Sequence, residues 1–312
     1  MSGPDVDEVR LVENRTYPAP DDFSAQANVT ASAYVDASAD PTRFWETAAA
    51  RLDWVTPWHT ALDWRPPVRD ADGELSIPAA RWFDGGTLNV AVNCVDRHVA
   101  AGLGQKVALH FEGEPGDRTT VTYADLQRRV SQAANALVAL GIQPGDRVVV
   151  YLPVLVETVV IALACARVGA VHSLVFGGFS AEAVRFRLED TGAKLLVTSD
   201  GQFRRGGAVE VKSAADAAAA GLPELEHVLV VRRTGNEVEW TPGRDVWWHD
   251  VVDTASTVHD AAAFEAEHPL FIIYTSGTTG KPKGLVHTSG GYLTHASWAH
   301  WAHFDAKPDD VH

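Results

Sequence analysis

Cysteine, methionine and long apolar runs are scarce in this chain of 312 residues. The two cysteines, Cys94 and Cys165, stand in apolar, helix-like segments, so we expect free buried thiols rather than a disulfide framework. No apolar run approaches the length that spans a membrane. The first residues are acidic rather than basic and then apolar, which is not the pattern of a signal peptide. The sequence therefore predicts a soluble cytoplasmic protein.

Positive charge is also in short supply, with 26 basic against 41 acidic residues and a net charge of −15. This balance argues against nucleic acid or an anionic membrane as a partner. A polyanionic ligand would need a local basic site that overcomes the repulsion from the net negative charge of the protein. Only six basic residues are lysines, yet two of the six, Lys281 and Lys283, stand in one glycine-rich stretch.

Residues that can bind a metal ion are present, but their spacing does not form a complete set of ligands. Of the thirteen histidines, His300 and His303 have the spacing of neighbours on a helix, while His295 does not share that spacing with them. No clustered cysteine or glutamate completes a ligand set, so we predict no metal site. The sequence also lacks the Gly-x-Ser-x-Gly elbow that would make Ser276 a hydrolase nucleophile.

The most distinctive stretch runs from Tyr274 to Gly284 and reads YTSGTTGKPKG. The uncharged apolar run at residues 270–274 precedes it and predicts a strand buried on both faces. Glycines let backbone N–H groups approach a ligand closely, hydroxyls donate to anionic oxygens, and lysine adds a compact positive charge. It is not a Walker A loop, because two residues separate Gly277 from Gly280 and Pro282 follows Lys281. The pattern favours a phosphate cradle over an ordinary hairpin turn.

Before residue 100 the pattern is irregular. We expect a loosely ordered arm over residues 1–32 and an extension over residues 33–100, within which Asp40 caps a short helix that starts at Pro41. Residues 81–89 predict a turn that leads into a helix. Scattered tryptophans in this part are expected to be packing residues rather than a site.

From residue 101 onward, strands and helices alternate. Strands are predicted at 107–111, 119–123, 147–152, 171–176, 194–198 and 227–231, with helices at about 126–138, 157–168, 180–190 and 212–220. Gly141, Gly169 and Gly192 are expected to end helices, a loop is expected after residue 198, and Ser289 is expected to cap a last helix. Short connections of this kind predict right-handed βαβ units and an α/β domain with a mostly parallel sheet flanked by helices.

Two further glycine motifs follow predicted strands. The first is Phe176-Gly177-Gly178-Phe179-Ser180, at a strand end that opens a helix, which is either a ligand-binding turn or a plain tight turn. Ser180 is a natural N-cap for that helix. The second is Arg204-Arg205-Gly206-Gly207, which is either a phosphate clamp or a solvated basic turn. The residues themselves leave both alternatives open.

The stretch from Tyr274 to Gly284 resembles the phosphate-binding signature of the adenylate-forming superfamily, which includes acyl-CoA synthetases, luciferases and peptide-synthetase adenylation domains. In that superfamily the loop binds the triphosphate of ATP while a carboxylate attacks the α-phosphorus. From about Tyr34 to the C-terminus, further segments resemble the AMP-forming acetyl-CoA synthetase branch. They are RWFDGGTLNVAVNCVDR at 81–97, ACARVGAVHSLVFGG at 164–178, GRDVWWHD at 243–250 and PLFIIYTSGTTGKPKGLVHTSGGY at 269–292.

The resemblance implies roles for particular residues. The residues expected around the ATP phosphates are Thr275, Ser276, Gly277, Thr278, Thr279, Gly280, Lys281 and Lys283. The residues expected around coenzyme A are Phe176, Gly177 and Gly178 against its nucleotide, and Arg204, Arg205, Gly206 and Gly207 at its 3′-phosphate. Some relatives carry a second arginine where Gly207 stands, so we expect this contact to move to Arg205 or to weaken.

The resemblance also implies an acid–thiol ligase that uses ATP with Mg²⁺ and coenzyme A. Acetate and ATP would give acetyl-AMP and pyrophosphate, and coenzyme A would then give acetyl-CoA and AMP. Propionate or another short-chain acid is the alternative substrate, because the acyl pocket of the family lies downstream of His312. A non-catalytic nucleotide- or coenzyme-A-binding fragment is an alternative of another class.

Relatives in that family continue into the rest of the large domain and a small C-terminal domain that carries the catalytic lysine. We therefore expect the AMP-binding domain, residues 101–312, to be truncated and the small domain to be absent. An N-terminal fragment of this kind would contain no catalytic residue and would be inactive alone. The sequence does not indicate the oligomeric state.

Overall fold

Parallel β-strands form the centre of the computed structural model, which describes residues 14–276 and 281–312. The strands are β1 Thr60–Arg65, β2 Ala79–Asp84, β3 Thr87–Leu88, β4 Val107–Glu112, β5 Arg118–Thr122, β6 Arg147–Leu152, β7 Val171–Phe176, β8 Leu195–Ser199, β9 Gly201–Arg204, β10 Gly207–Glu210, β11 His227–Val231, β12 Asp245–Trp247, β13 Phe264–Glu265, β14 Pro269–Thr275 and β15 Lys283–Thr288. A seven-stranded sheet has the order β12-β11-β8-β6-β7-β14-β15. Its neighbouring strands are parallel except for β14 and β15. The predicted α/β class with a mostly parallel sheet is confirmed.

The helices of the described residues are α1 Asp21–Ala25, α2 Ser32–Ala39, α3 Pro41–Ala49, α4 Tyr123–Ala139, α5 Val156–Val168, α6 Ala181–Thr191, α7 Lys212–Ala219, α8 Trp248–Val251 and α9 Ser289–Ala302, with π-helical stretches at Val92–Asp96 and Val99–Leu103. Helices α4 to α7 cover both faces of the seven-stranded sheet. One hydrophobic core joins α4 and α5 to the sheet, and a second core joins α6 and α7 to the opposite face. In the described part of the chain, no helix is long and apolar enough to cross a membrane.

Strand β6 shows why the sequence of a central strand is continuously apolar. Val148 and Val150 point into the core with α4 and α5, while Val149 and Tyr151 point into the core with α6 and α7. All four are at most 2% exposed. Burying a side chain of this size contributes about 1.5–3 kcal/mol, so both faces favour apolar residues.

Helix ends follow the predicted signals. Asp40 caps α3 by accepting a hydrogen bond from the amide of Arg43 at 2.9 Å, and Ser180 caps α6 in the same way. Gly169 ends α5 at φ 76° and Gly192 ends α6 at φ 58°, a left-handed conformation that strongly favours glycine. These predictions are confirmed because capping depends on residues that are close in sequence.

The prediction for Ser289 is wrong. Helix α9 begins at Ser289 itself, and Thr288 occupies the N-cap position. The hydroxyl of Ser289 donates instead to the carbonyl oxygen of His268 at 3.0 Å. The chain enters the helix directly from β15, which brings Ser289 next to the segment that precedes β14.

The predicted turn at residues 81–89 is also wrong in its extent. Residues up to Asp84 belong to β2, which pairs with β1 in an antiparallel hairpin, and only Gly85 and Gly86 separate β2 from β3. Phe83, 1% exposed, lies among Trp45, Trp54, Trp58 and Trp82. This aromatic cluster confirms the packing role predicted for the tryptophans, and it explains why apolar residues stand on a short peripheral strand.

Strand β14 is not buried on both faces as predicted. Leu270 is buried, but Ile273 is 48% exposed, and Leu285 of the neighbouring β15 is 48% exposed too. Helices α4 to α7 cover the middle of the sheet, whereas β14 and β15 lie at its side. An apolar run shows that a strand favours burial, but the helices packed around it decide whether burial occurs.

Candidate functional site

The carboxyl ends of two neighbouring strands carry the glycine-rich segments singled out from the sequence. β7 and β14 are adjacent and parallel, with Phe271 opposite His172. Both therefore end at the same edge of the sheet. Phe176 is the last residue of β7, and Thr275 is the last residue of β14. Ligands of open α/β sheets bind at this edge, so the topology brings the two predicted sites to one side.

The turn after β7 is tightly fixed. The amide of Phe179 donates to the carbonyl of Phe176 at 3.0 Å. The carbonyl of Gly177 accepts from Nε2 of Gln202 at 2.7 Å, and the phenol of Tyr151 donates to the carbonyl of Phe179 at 2.8 Å. Burial raises the pKa of Tyr151, so this hydroxyl stays a donor at neutral pH. Sequence reasoning missed both of these side chains.

Gly177 and Gly178 fit the turn because a side chain would collide there. A Cβ atom on Gly177 would lie 3.0 Å from the backbone nitrogen of Pro153. A Cβ atom on Gly178 would lie 2.6 Å from Nη1 of Arg204. The first contact is with backbone, which cannot move easily, so the glycine at 177 is the more strictly required of the two.

The predicted loop after residue 198 is instead a β-hairpin. β9 and β10 pair antiparallel, and Arg204 lies opposite Gly207. Arg205 at φ 55° and Gly206 at φ 81° form the two-residue connection, with the positive φ angles that suit a tight hairpin. The prediction failed because Gly201-Gln202-Phe203 carries only a short strand signal. The correction matters, since a hairpin presents these residues on a defined tip.

The hairpin tip and the turn after β7 come together. The guanidinium of Arg204 lies 5.9 Å from the centroid of the Phe176 ring. The amide of Gly206 donates to Oε1 of Glu114 at 2.7 Å, and Gly207 has open space around it. Glu114 was not singled out in the sequence. It places a carboxylate beside the basic tip, where it competes with any anionic ligand for the same amide.

The stretch after β14 is a hairpin loop with paired ends. Thr275 lies opposite Lys283, and Tyr274 lies opposite Gly284. The side chains of Thr275, Lys281 and Lys283 are exposed, as is Ser276. The rest of the predicted phosphate cradle, Gly277, Thr278, Thr279 and Gly280, lies outside the described residues. Among the described residues, no carboxylate pairs with Lys281 or Lys283, so both ammonium groups are free to meet a ligand.

Helix α6 contacts the first residues of this loop. The phenol of Tyr274 donates to Oδ2 of Asp190 at 2.5 Å. Burial, assisted by this hydrogen bond, raises the pKa of Tyr274 above its ordinary value. The guanidinium of Arg187 lies 4.9 Å from the centroid of the Tyr274 ring, and burial lowers the pKa of Arg187. The sequence carries no signal for these contacts, because helix and strand are far apart along the chain.

No group of three His, Cys, Asp or Glu side chains that could hold a metal ion occurs within residues 14–276 and 281–312. Cys94 and Cys165 are free thiols, as predicted, and burial raises their pKa values to about 11 and about 12. Neither thiol is a reactive nucleophile.

The fold and these loops define an α/β protein with glycine-rich loops at the carboxyl edge of a parallel sheet. Residues 96–312 match the family described as AMP-binding enzyme, and residues 30–94 match the family described as acetyl-coenzyme A synthetase N-terminus. The chain belongs to the AMP-binding enzyme family.

The chain is similar to two proteins that share one name and to a solved structure with a different name. A protein of Streptomyces avermitilis named acetyl-coenzyme A synthetase is 57% identical over 96% of this chain and 44% of its own length. One of Mycolicibacterium smegmatis with the same name is 55% identical over 99% of this chain and 32% of its own length. The solved structure of acetoacetyl-CoA synthetase from Streptomyces lividans superposes with a TM-score of 0.75 and 30% identity, covering 86% of this chain and 39% of that one. The chain thus spans less than half the length of these relatives.

Proposed function

We propose that this chain carries the ATP-phosphate loop and the coenzyme A turn of an AMP-forming acetate–CoA ligase. The proposal rests on one observation above others: residues 176–179 and the stretch that starts at Thr275 follow adjacent parallel strands and share one edge of the sheet. The names of the relatives supply the substrates, acetate and coenzyme A.

In the first half-reaction, acetate attacks the α-phosphorus of ATP, and pyrophosphate leaves. Rearranging P–O bonds needs positioning and charge stabilisation more than covalent help. ATP would arrive with Mg²⁺, which offsets part of its charge. The residues proposed to bind its phosphates are Thr275, Ser276, Gly277, Thr278, Thr279, Gly280, Lys281 and Lys283. The two lysines give a net acidic chain a local cationic site.

In the second half-reaction, the thiolate of coenzyme A attacks the acyl carbon and releases AMP. Phe176, with Gly177 and Gly178, would pack against the nucleotide of coenzyme A. Arg204 and Arg205 would receive its 3′-phosphate, together with the open backbone at Gly206 and Gly207. The geometry supports this because the guanidinium of Arg204 lies 5.9 Å from the centroid of the Phe176 ring.

Calorimetric titration of the 312-residue chain with MgATP and with coenzyme A tests the two sites separately. Replacing both Lys281 and Lys283 by Gln should weaken MgATP binding at least about tenfold, since each lost charge-assisted contact contributes on the order of 1.5 kcal/mol. Lys194→Gln is the matched control, because Lys194 pairs with Asp146 at the start of β8, away from the carboxyl edge. Equal affinity in wild type and double variant would contradict the phosphate role.

Turnover tests the reaction itself. Acetyl-CoA formation from acetate, ATP and coenzyme A is measured with the chain alone and with the chain extended by the unmatched remainder of the S. avermitilis relative. We expect the extended protein to form acetyl-CoA and the chain alone to form little or none. Propionate is assayed in parallel as the alternative substrate. Binding of both ligands without AMP release in either protein would favour a non-catalytic binding module.

Two coarser features accompany this proposal. We place the boundary between an N-terminal extension and the AMP-binding domain near residue 100, which the matched ranges 30–94 and 96–312 support. We also propose that the protein acts on small molecules in the cytoplasm, as its composition predicts.

A further inference from the structure

A buried arginine lies between the two proposed ligand segments. Arg187 of α6 is 7% exposed, and within the described residues its guanidinium makes one hydrogen bond, from Nη1 to the carbonyl of Ala183 at 2.6 Å. No carboxylate forms an ion pair with it in the part of the chain that the structure describes. Its guanidinium lies 5.1 Å from the ring centroid of Phe179 and 4.9 Å from that of Tyr274. The positive charge of Arg187 therefore lies against two aromatic rings.

The Tyr274 ring belongs to the phosphate segment. Tyr274 directly precedes Thr275, and its phenol donates to Asp190 at 2.5 Å, one helical turn beyond Arg187. The ring also lies against Gly284, where a Cβ atom would stand 3.2 Å from it. Two side chains of α6 and the backbone of β15 therefore fix the point at which the loop leaves the sheet.

The Phe179 ring belongs to the coenzyme A turn. Phe179 closes the turn that starts at Phe176, and its carbonyl accepts from the phenol of Tyr151 at 2.8 Å. Its own ring contacts Arg187. A shift of the guanidinium would therefore act on a turn that Gln202 and Tyr151 also hold, by side-chain hydrogen bonds to its carbonyl oxygens.

We propose that Arg187 is a positioning residue that holds the coenzyme A turn and the phosphate loop in a fixed relation, by binding one aromatic ring from each. A desolvated cation attracts the faces of two rings at once, and a planar guanidinium can stack on both. Arg187 is buried and is not among the residues proposed to bind either ligand. The ligand names rest on the proposed function, but the coupling of the two segments does not.

This coupling is a property of the ligand-free chain, and hydrogen exchange followed by mass spectrometry measures it. In Arg187→Met, which keeps the length and apolar character of the stem, we expect amide exchange to rise about tenfold both at residues 176–180 and at residues 272–276. Exchange in β6 and β8 serves as the internal reference for global stability. Arg185→Met is the matched control, because Arg185 lies on the same helix but pairs with Glu189 and contacts neither segment.

Three further variants separate positioning from simple space filling. Arg187→Lys keeps the charge and should retain most of the protection from hydrogen exchange that Arg187→Met loses. If Arg187 only filled space, the two variants would give equal protection. Tyr274→Leu should raise exchange at residues 176–180, and Phe179→Leu should raise it at residues 272–276. In each case the altered residue lies in one segment and the effect is measured in the other. Both effects remain measurable if Arg187→Met does not fold.

The proposal is overturned if Met and Lys at position 187 give equal protection, or if Tyr274→Leu and Phe179→Leu each affect only their own segment. Its failure is distinct from failure of the proposed function. Absence of MgATP or coenzyme A binding would contradict the ligand assignment and would leave the exchange results unchanged.

Discussion

The guanidinium of Arg204 lies 5.9 Å from the centre of the Phe176 ring, so the tip of one hairpin rests against the turn that ends β7. Phe176 is 51% exposed, and its ring offers a surface for a flat ligand group beside a fixed positive charge. An aromatic face next to an arginine suits a nucleotide that carries a phosphate.

Replacing Arg204 by Gln should therefore weaken binding of coenzyme A by about 10- to 100-fold, the loss of one hydrogen bond to a charged group. Dephospho-coenzyme A, which lacks the 3′-phosphate, should bind wild type and variant alike. Calorimetric titration with both ligands measures this. A similar loss for both ligands would mean that Arg204 does not contact the 3′-phosphate.

Glu114 is expected to oppose the same ligand. Its carboxylate accepts from the amide of Gly206 at the hairpin tip. Glu114→Gln should strengthen coenzyme A binding about two- to fivefold, because exposed charges interact weakly. Glu112→Gln is the matched control, since Glu112 pairs with Arg118 on the neighbouring strand. An unchanged affinity in the Glu114 variant would show that the carboxylate lies too far from the bound phosphate to matter.

His172 should make stability depend on pH. Burial lowers the pKa of His172 to about 4, and its Nδ1 atom has no hydrogen-bond partner in the described structure. Between this value and the ordinary 6.5 the unfolded chain binds the proton more readily, so the free energy of unfolding falls as pH falls through this window. From about pH 7 to about pH 4.5, wild type should lose on the order of 2 kcal/mol more than His172→Phe.

Urea unfolding of both proteins at the two pH values gives this difference directly. Other groups titrate in the same range, but they are common to the two proteins and cancel in the comparison. An equal pH dependence in wild type and variant would mean that the imidazole takes up its proton in the folded state without cost.

A buried lysine should be essential for stability. Lys212 is 1% exposed, and its ammonium lies 2.8 Å from Asp245 and 2.7 Å from Asp216. Burial acts to raise the pKa of Asp245, but hydrogen bonds from Arg244 and Lys212 hold it below its ordinary value. Lys212→Met leaves these carboxylates with one cation fewer and should lower the free energy of unfolding by about 3–5 kcal/mol.

The matched control is Arg118→Met, which removes an exposed ion pair with Glu112 and should change the free energy of unfolding by less than about 1 kcal/mol. Urea unfolding at neutral pH compares the two. If Lys212→Met costs no more than the control, solvent must reach the carboxylates in the variant and replace the lost ammonium.

Local signals explain which elements could be predicted. Asp40 and Ser180 begin helices, and Gly169 and Gly192 end them, because a cap is a contact between residues a few positions apart. Strands β6, β8 and β11 could be predicted because both of their faces are buried and their sequences are therefore continuously apolar. The hairpin that carries Arg205 was missed, since its short strands hold no apolar run and gain stability from pairing with each other.

The sequence by itself determined the alternation of strands and helices, the positions of the glycine-rich segments at strand ends, and the resemblance that gave them roles. Only the tertiary structure decided that β14 lies partly exposed at the side of the sheet and that Glu114 reaches Gly206. It alone placed Arg187 between Phe179 and Tyr274. Those contacts join residues far apart in the chain, and no local preference specifies them. For the stretch after β14, the physical result is a loop whose starting point is held by helix α6 as well as by its own hairpin.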